Sequence, residues 1–90
     1  MMEEEAQRDQ ATPPRKLTPL RIREQYHLNI ANLAHQAGVG PSTVYFMMMG
    51  YPIARELAEQ ILATMSRLAG QRYTLDNVQV ALLPEEEEPP

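Results

Sequence analysis

The side chains with the most distinctive chemistry lie in one short stretch of the chain, VGPSTVYFMMMG, which covers residues 39–50. It begins with turn-forming residues, continues with hydroxyl and aromatic side chains and three consecutive methionines, and ends at a glycine. Hydroxyl groups can donate or accept hydrogen bonds, whereas aromatic and methionine side chains make apolar contacts. Such a segment fits either a buried core helix or a helix that reads a DNA groove, although base-reading helices usually carry arginine, lysine or glutamine.

The rest of the sequence lacks the chemistry of an enzyme. It contains no cysteine, which excludes a disulfide framework, a thiolate metal site and a cysteine nucleophile. The two histidines, His27 and His35, are eight residues apart with no second pair of ligands nearby, which favours surface positions over metal ligation. We find no nucleophile–base pair, phosphate-binding loop or metal cluster, and we expect no catalysis, no cofactor and no bound metal.

Charge is distributed unevenly along the 90 residues. Residues 1–16 and 84–90 are acidic and rich in proline, and we expect a disordered N-terminal arm and a disordered tail because they cannot bury enough apolar surface. The folded domain is predicted to cover residues 17–83. Residues 15–80 hold seven basic and four acidic side chains, which suits an anionic partner without requiring one.

No apolar run approaches a membrane span, so we expect a soluble cytoplasmic protein without a membrane partner.

Local signals define the first two helices. Thr18 is a good N-cap and Pro19 fits the first helical position, so a helix is predicted to run to about Tyr26. Asn29 caps a second helix with a single apolar stripe, and Gly38 ends it.

The remaining elements follow the same logic. A third helix is predicted over about residues 41–49, and a fourth from Pro52 to about Ala69. Residues 74–77 indicate a cap and one turn, which would make a short fifth helix. Residues 78–83 show a period of two, which predicts either a short C-terminal strand or an extended segment laid on the core.

The spacing around the turn between the second and third helices is the decisive feature. Ala34 is small enough to let the two helices cross closely, and Gly38 can take the positive φ of a sharp turn. Val39, Val44 and Met47 fill the angle between the helices. The second helix of such a pair is held rigidly, as groove binding requires.

This spacing and the text NIANLAHQAGVGPSTVYFMMMG resemble the XRE/Cro phage-repressor-like helix-turn-helix family. The matching features are a leucine–alanine pair, then alanine–glycine–valine, then Ser-Thr-Val, then a helix-ending glycine. RIREQYHLN before it resembles the family's first helix, and ARELAEQILATMSRLAGQRYTLDNV after it resembles the fourth and short fifth helices. The resemblance covers about residues 17–78. It implies an all-α, lambda-repressor-like helix-turn-helix domain of four to five helices that binds double-stranded DNA and regulates transcription.

By this resemblance, the helix over residues 41–49 is the recognition helix in the major groove. Positions 41, 42, 45 and 46 are where the family meets base edges; hydroxyls can donate to bases or phosphates, and aromatic rings can pack against thymine methyl groups. Helical periodicity turns Val44, Met47 and Met48 towards the core. Phosphate contacts are expected from positions 36 and 55 beside this face. The expected DNA-binding residues are Gln36, Pro41, Ser42, Thr43, Tyr45, Phe46, Met49 and Arg55.

The predicted recognition helix departs from the family pattern, because residues 41–49 contain no glutamine, arginine, lysine or asparagine. An exposed patch of Tyr45, Phe46 and Met49 is also typical of protein interfaces. The alternative is therefore a protein-interaction module that uses the same fold without binding DNA.

A homodimer is a further expectation, because one recognition helix contacts only a few base pairs. Residues 78–83 could pair with their two-fold copy. The alternative for this segment is that it folds back on the first and fourth helices of its own chain.

Overall fold

The computed structural model describes residues 17–84, and this part of the chain contains four α-helices and no sheet. They are α1 (Pro19–Tyr26), α2 (Ile30–Ala37), α3 (Pro41–Met49) and α4 (Arg55–Ala69). The prediction of an all-α domain is confirmed. The predicted arm over residues 1–16 and residues 85–90 of the predicted tail lie outside the described residues.

The N-caps of α1 and α2 are the ones that the sequence predicts. The Oγ1 atom of Thr18 accepts a hydrogen bond from the Arg21 backbone N–H at 3.2 Å. The Oδ1 atom of Asn29 accepts one from the Asn32 N–H at 3.0 Å. Each bond satisfies a backbone donor that the first turn of a helix leaves without an internal partner, so each cap stabilises its helix by about 1 kcal/mol.

One hydrophobic core holds the four helices together. α2 packs against both α3 and α4, and α1 packs against α3. Burial of each large side chain contributes about 1.5–3 kcal/mol to stability. α3 is therefore held in place by the same core that holds the other three helices. Every helix and the C-terminal segment supply fully buried side chains: Ile22, Leu33, Val44, Ile61, Leu62, Met65 and Val78.

The start of α4 differs from the prediction. The sequence predicts a helix from Pro52, whereas α4 begins at Arg55. The preceding residues are extended because Ile53 pairs with the C-terminal segment: its N–H donates to the Ala81 carbonyl at 3.1 Å, and its own carbonyl accepts from the Leu83 N–H at 2.9 Å. A residue paired in this way has extended backbone angles, which moves the helix start three residues along the chain.

The segment after α4 contains a turn where a fifth helix is predicted. The Thr74 N–H donates to the Oδ1 atom of Asn77 at 2.8 Å, and the Val78 N–H donates to the Thr74 carbonyl at 2.9 Å. These bonds close the single predicted turn over residues 74–77. The chain then becomes extended, so the described part of the fold has four helices and not five.

Residues 78–83 are extended and lie on the core. Val78 forms an isolated parallel bridge with Leu17, and Leu82 forms another with Ile53. Val78 is fully buried and Leu82 is partly buried against the core. Isolated bridges do not make a strand, so of the two predicted forms the extended segment is the one observed.

Candidate nucleic-acid interface

A three-residue turn fixes the start of α3 relative to α2. The Gly38 and Val39 N–H groups both donate to the Ala34 carbonyl, at 2.9 and 3.0 Å. Gly38 has a φ of 75°, a left-handed conformation that other residues adopt only at a cost. Ala34 is 2 % exposed, and Val39 packs against the core. The turn is therefore held both by hydrogen bonds and by burial.

α3 divides lengthwise into a buried and an exposed side. Val44, Met47 and Met48 are buried, as the periodicity predicts. Thr43 lies at the border and is half-buried. At 100° per residue, the exposed residues fall within an arc of about 140°. We call them the outer side of α3: Pro41, Ser42, Tyr45, Phe46 and Met49.

Three aromatic rings form a cluster on this surface. The ring centroids of Tyr45 and Phe46 are 6.3 Å apart, and those of Phe46 and Tyr51 are 5.8 Å apart in an edge-to-face arrangement. The three residues are 48, 44 and 55 % exposed in chain order. Aromatic pairs of this kind stabilise by about 0.5–1.5 kcal/mol. Phe46 is thus held between two rings while much of its surface remains accessible.

Tyr51 is missing from the predicted site, although it belongs to this cluster. Its N–H donates to the Phe46 carbonyl at 2.9 Å, and the Gly50 N–H donates to the Met47 carbonyl at 3.2 Å. These are the two bonds of a Schellman motif, in which the residue after the glycine packs against the helix at the position of Phe46. The glycine at position 50 is therefore the sequence signal that could have placed Tyr51 on this surface.

Gln36, a predicted phosphate contact, takes part in a network across the protein surface. Its Oε1 atom accepts from the Arg67 guanidinium at 3.0 Å, and its Nε2 atom donates to the Oδ1 atom of Asn32 at 3.2 Å. All three side chains are exposed. The network ties α2 to α4 and brings to Gln36 a positive charge, Arg67, that the sequence reasoning missed.

Positive charge in the described part of the chain comes from residues outside α3. Arg55, the other predicted phosphate contact, is exposed at the first position of α4. Arg21 is exposed on α1, and Arg23 on the same helix is half-buried. Residues 17–84 hold five arginines against four acidic side chains, with none of these on α3. The outer side of α3 is uncharged.

The structure brings together five of the eight predicted site residues, namely those on the outer side of α3. Thr43 borders this surface, whereas Gln36 and Arg55 lie on the neighbouring helices α2 and α4.

Within residues 17–84, no group of three histidine, aspartate or glutamate side chains is arranged to hold a metal ion. No helix in the same part of the chain is long and apolar enough to cross a membrane.

No protein-family model, curated protein or solved structure matches the chain. The resemblance to the XRE/Cro family and the DNA-binding role remain predictions.

Proposed function

We propose that the protein is a sequence-specific DNA-binding regulator of transcription with a lambda-repressor-like helix-turn-helix domain. In this proposal α3 lies in the major groove of double-stranded DNA and contacts the bases. The proposal depends on how α3 is held: a tight turn fixes its start, one side is buried in the core, and the other side is exposed. A rigid helix with an accessible outer side is what a groove-binding element requires.

The size and the side chains of α3 support this role. An α-helix with its side chains is about 10–12 Å across, which fits a major groove about 12 Å wide, and the nine residues of α3 give about 13 Å of helix to lie along it. Pro41 and Ser42 are small and let the start of the helix approach the DNA closely, whereas Tyr45 and Phe46 reach further from the helix axis. Thr43, at the border of the outer side, is placed to donate to a flanking phosphate.

Phosphate contacts are assigned to Arg55 and to the pair of Gln36 and Arg67. Arg55 is exposed at the start of α4. The Arg67 guanidinium donates to Gln36, so a phosphate oxygen near this amide also meets a positive charge. Such contacts orient a protein on DNA without reading its sequence.

A titration of the full chain against random-sequence duplex DNA tests the proposal. If about three phosphates are neutralised, raising the salt concentration from about 50 to about 200 mM should lower the affinity about 40-fold. Phe46→Glu should lower the affinity by roughly 100-fold, because it brings a carboxylate towards the negatively charged groove. Phe46 is nearly half exposed, so this variant should fold.

Gln25→Glu is the matched control, because it adds the same charge at an exposed position on α1, outside α3 and outside the residues assigned to phosphate contacts. Its effect on affinity should be less than about threefold, since exposed charges are screened over about 10 Å. Equal losses for the two variants would contradict a specific role for α3.

A second candidate function is protein binding through the outer side of α3. The observation that favours it is the cluster of Tyr45, Phe46 and Tyr51, since exposed and prearranged aromatic rings are typical anchors of protein interfaces. No affinity for duplex DNA at about 50 mM salt would reject the first candidate in favour of this one.

The proposal includes a cytoplasmic location and a homodimer that places one α3 in each of two half-sites. The inward side of residues 78–83 already packs on the chain's own core. We therefore assign the dimer contact to apolar residues at the outer surface, Leu83 at 48 % and Leu20 at 38 % exposure. The double variant Leu20→Lys, Leu83→Lys should stay folded and sediment as a monomer. A wild-type chain that is monomeric on DNA would contradict the dimer.

A further inference from the structure

α3 and the connections on either side of it contain no side chain that reads a base by paired hydrogen bonds. From Ala37 to Ala54 the sequence is AGVGPSTVYFMMMGYPIA, with no charged, amide or imidazole side chain. Guanine is usually read by arginine or lysine, adenine by asparagine or glutamine, and cytosine by a carboxylate. The turn before α3, the helix itself and the connection after it all lack these groups.

Hydroxyl groups are the only polar side chains that this stretch offers. Ser42, Thr43, Tyr45 and Tyr51 can each donate or accept. A hydroxyl can therefore satisfy either an acceptor or a donor on a base edge, and it discriminates weakly between bases.

Apolar contact is the remaining means of discrimination. Phe46 and Met49 are 44 and 52 % exposed on the outer side of α3. The ring of Phe46 is held at 6.3 Å from Tyr45 and at 5.8 Å from Tyr51, so it can enter a groove with little loss of side-chain freedom. The apolar group that a base edge presents in the major groove is the C5-methyl group of thymine.

We propose that α3 recognises its DNA by the C5-methyl groups of pyrimidines in the major groove. This inference rests on the proposed DNA-binding function and names its substrate class. Thymine and 5-methylcytosine are accepted alike at the contacted positions, because both carry the methyl group. Uracil and unmethylated cytosine are disfavoured.

The spacing along the helix sets how many methyl groups are read. Phe46 and Met49 are separated along the axis by about 4.5 Å, which lies between one and two steps of 3.4 Å along a DNA strand. Tyr45 shares the turn of Phe46, so two or three neighbouring methyl groups are within reach of the helix. Loss of one buried methyl group should weaken the affinity about fourfold. Loss of two or three methyl groups together should weaken it roughly 15- to 60-fold.

Three random-sequence duplex pools, titrated with the full wild-type chain at one salt concentration, test the inference. The first contains thymine and cytosine, the second uracil and cytosine, and the third uracil and 5-methylcytosine. After one round of enrichment on each pool, the best binders of the second pool should be roughly 15- to 60-fold weaker than those of the first. Binders from the third pool should regain the affinity of the first, because the methyl groups have returned on a different base.

A variant series links the effect to the named side chains. Phe46→Ala and Met49→Ala should each lose about fourfold or more on the thymine pool and less than about twofold on the uracil pool, since the methyl partner is already missing there. Leu17→Ala is the matched control, because Leu17 is an apolar residue of comparable exposure, 38 %, that lies outside both α3 and the proposed dimer contact. It should bind all three pools as wild type does.

Equal affinity of wild type for the thymine and uracil pools, with the salt dependence intact, would overturn this inference and leave DNA binding standing. If the affinity is not restored on the third pool, the inference is overturned as well, because the protein would then distinguish the bases themselves and not their methyl groups. Absence of binding to every pool at low salt would overturn the inference together with the proposed function.

Discussion

Replacement of Gly38 by alanine should destabilise the domain through the backbone alone. A Cβ atom added at Gly38 meets nothing within 4 Å, so no steric clash with a neighbour contributes. The destabilisation comes from the backbone angle: at a φ of 75°, an L-residue such as alanine is less favourable than glycine by about 1–2 kcal/mol. The smaller entropy of the unfolded alanine chain offsets part of this. We expect a net loss of about 1 kcal/mol in the free energy of unfolding.

Gly40 provides the matched control two residues further along the same turn. Its φ of −73° is open to every residue, and an added Cβ atom would lie 4.0 Å from the Oγ atom of Ser42. Alanine is worse than glycine as an N-cap by roughly 0.5–1 kcal/mol, but it also lowers the entropy of the unfolded chain, which contributes about 0.4–1 kcal/mol in the opposite direction. Gly40→Ala should therefore stay within about 0.5 kcal/mol of wild type.

Thermal unfolding followed by far-ultraviolet circular dichroism measures both variants. For a domain of this size, 1 kcal/mol shifts Tm by about 4–8 °C. Gly38→Ala should melt lower by that amount, whereas Gly40→Ala should melt within about 4 °C of wild type. Equal Tm values for Gly38→Ala and wild type would refute the argument that this turn depends on a left-handed glycine to set the angle between α2 and α3.

Three further predictions concern the core, the termini and high pH. Ala34→Glu should abolish cooperative unfolding, because Ala34 is 2 % exposed and a carboxylate placed there would have to be buried without a partner; a Tm within a few degrees of wild type would contradict this. Removal of residues 1–14 and 84–90 deletes eight of the twelve acidic side chains and should leave the melting transition intact while raising non-specific DNA affinity a few-fold at low salt; loss of cooperative melting would count against it. Burial raises the pKa of Tyr73 above its ordinary value of 10.0, and a hydrogen bond and the charge of Tyr26 raise it further. The resulting stability is fully present below about pH 10 and is lost as the pH rises through the folded-state pKa, so Tm should fall above about pH 10 more steeply for wild type than for Tyr73→Phe.

Local chemistry made the first three helices predictable from the sequence. Thr18, Asn29 and Gly38 act on backbone groups within a few residues of themselves, so their effect can be read without knowledge of the fold. The burial of Val44 and Met47 could be predicted for a related reason, since a helix of known start has a fixed periodicity.

The features that prediction missed depend on contacts between distant parts of the chain. Pro52 looks like a helix start, but Ile53 is bound by the segment around Leu82, and no local signal encodes that pairing. The hydrogen bond between Gln36 and Arg67 joins residues 31 positions apart. Within the candidate site, the outer side of α3 could be predicted because the start of the helix fixes which residues face outwards. The hydrogen bond between Gln36 and Arg67 beside it could not, because it depends on how α2 packs against α4.

The bridge between Leu17 and Val78 determines how the domain resists a pulling force. The two residues run parallel, and the Gln79 N–H donates to the Leu17 carbonyl at 2.7 Å. Tension applied to the chain before Leu17 and after residue 83 drags the two segments past each other in opposite directions, so the contact is loaded in shear and not peeled apart one bond at a time. The buried Val78 side chain must leave the core in the same step. A force on the two ends of the folded part therefore has to break this contact in shear, and also the bridge that holds Leu82 to Ile53.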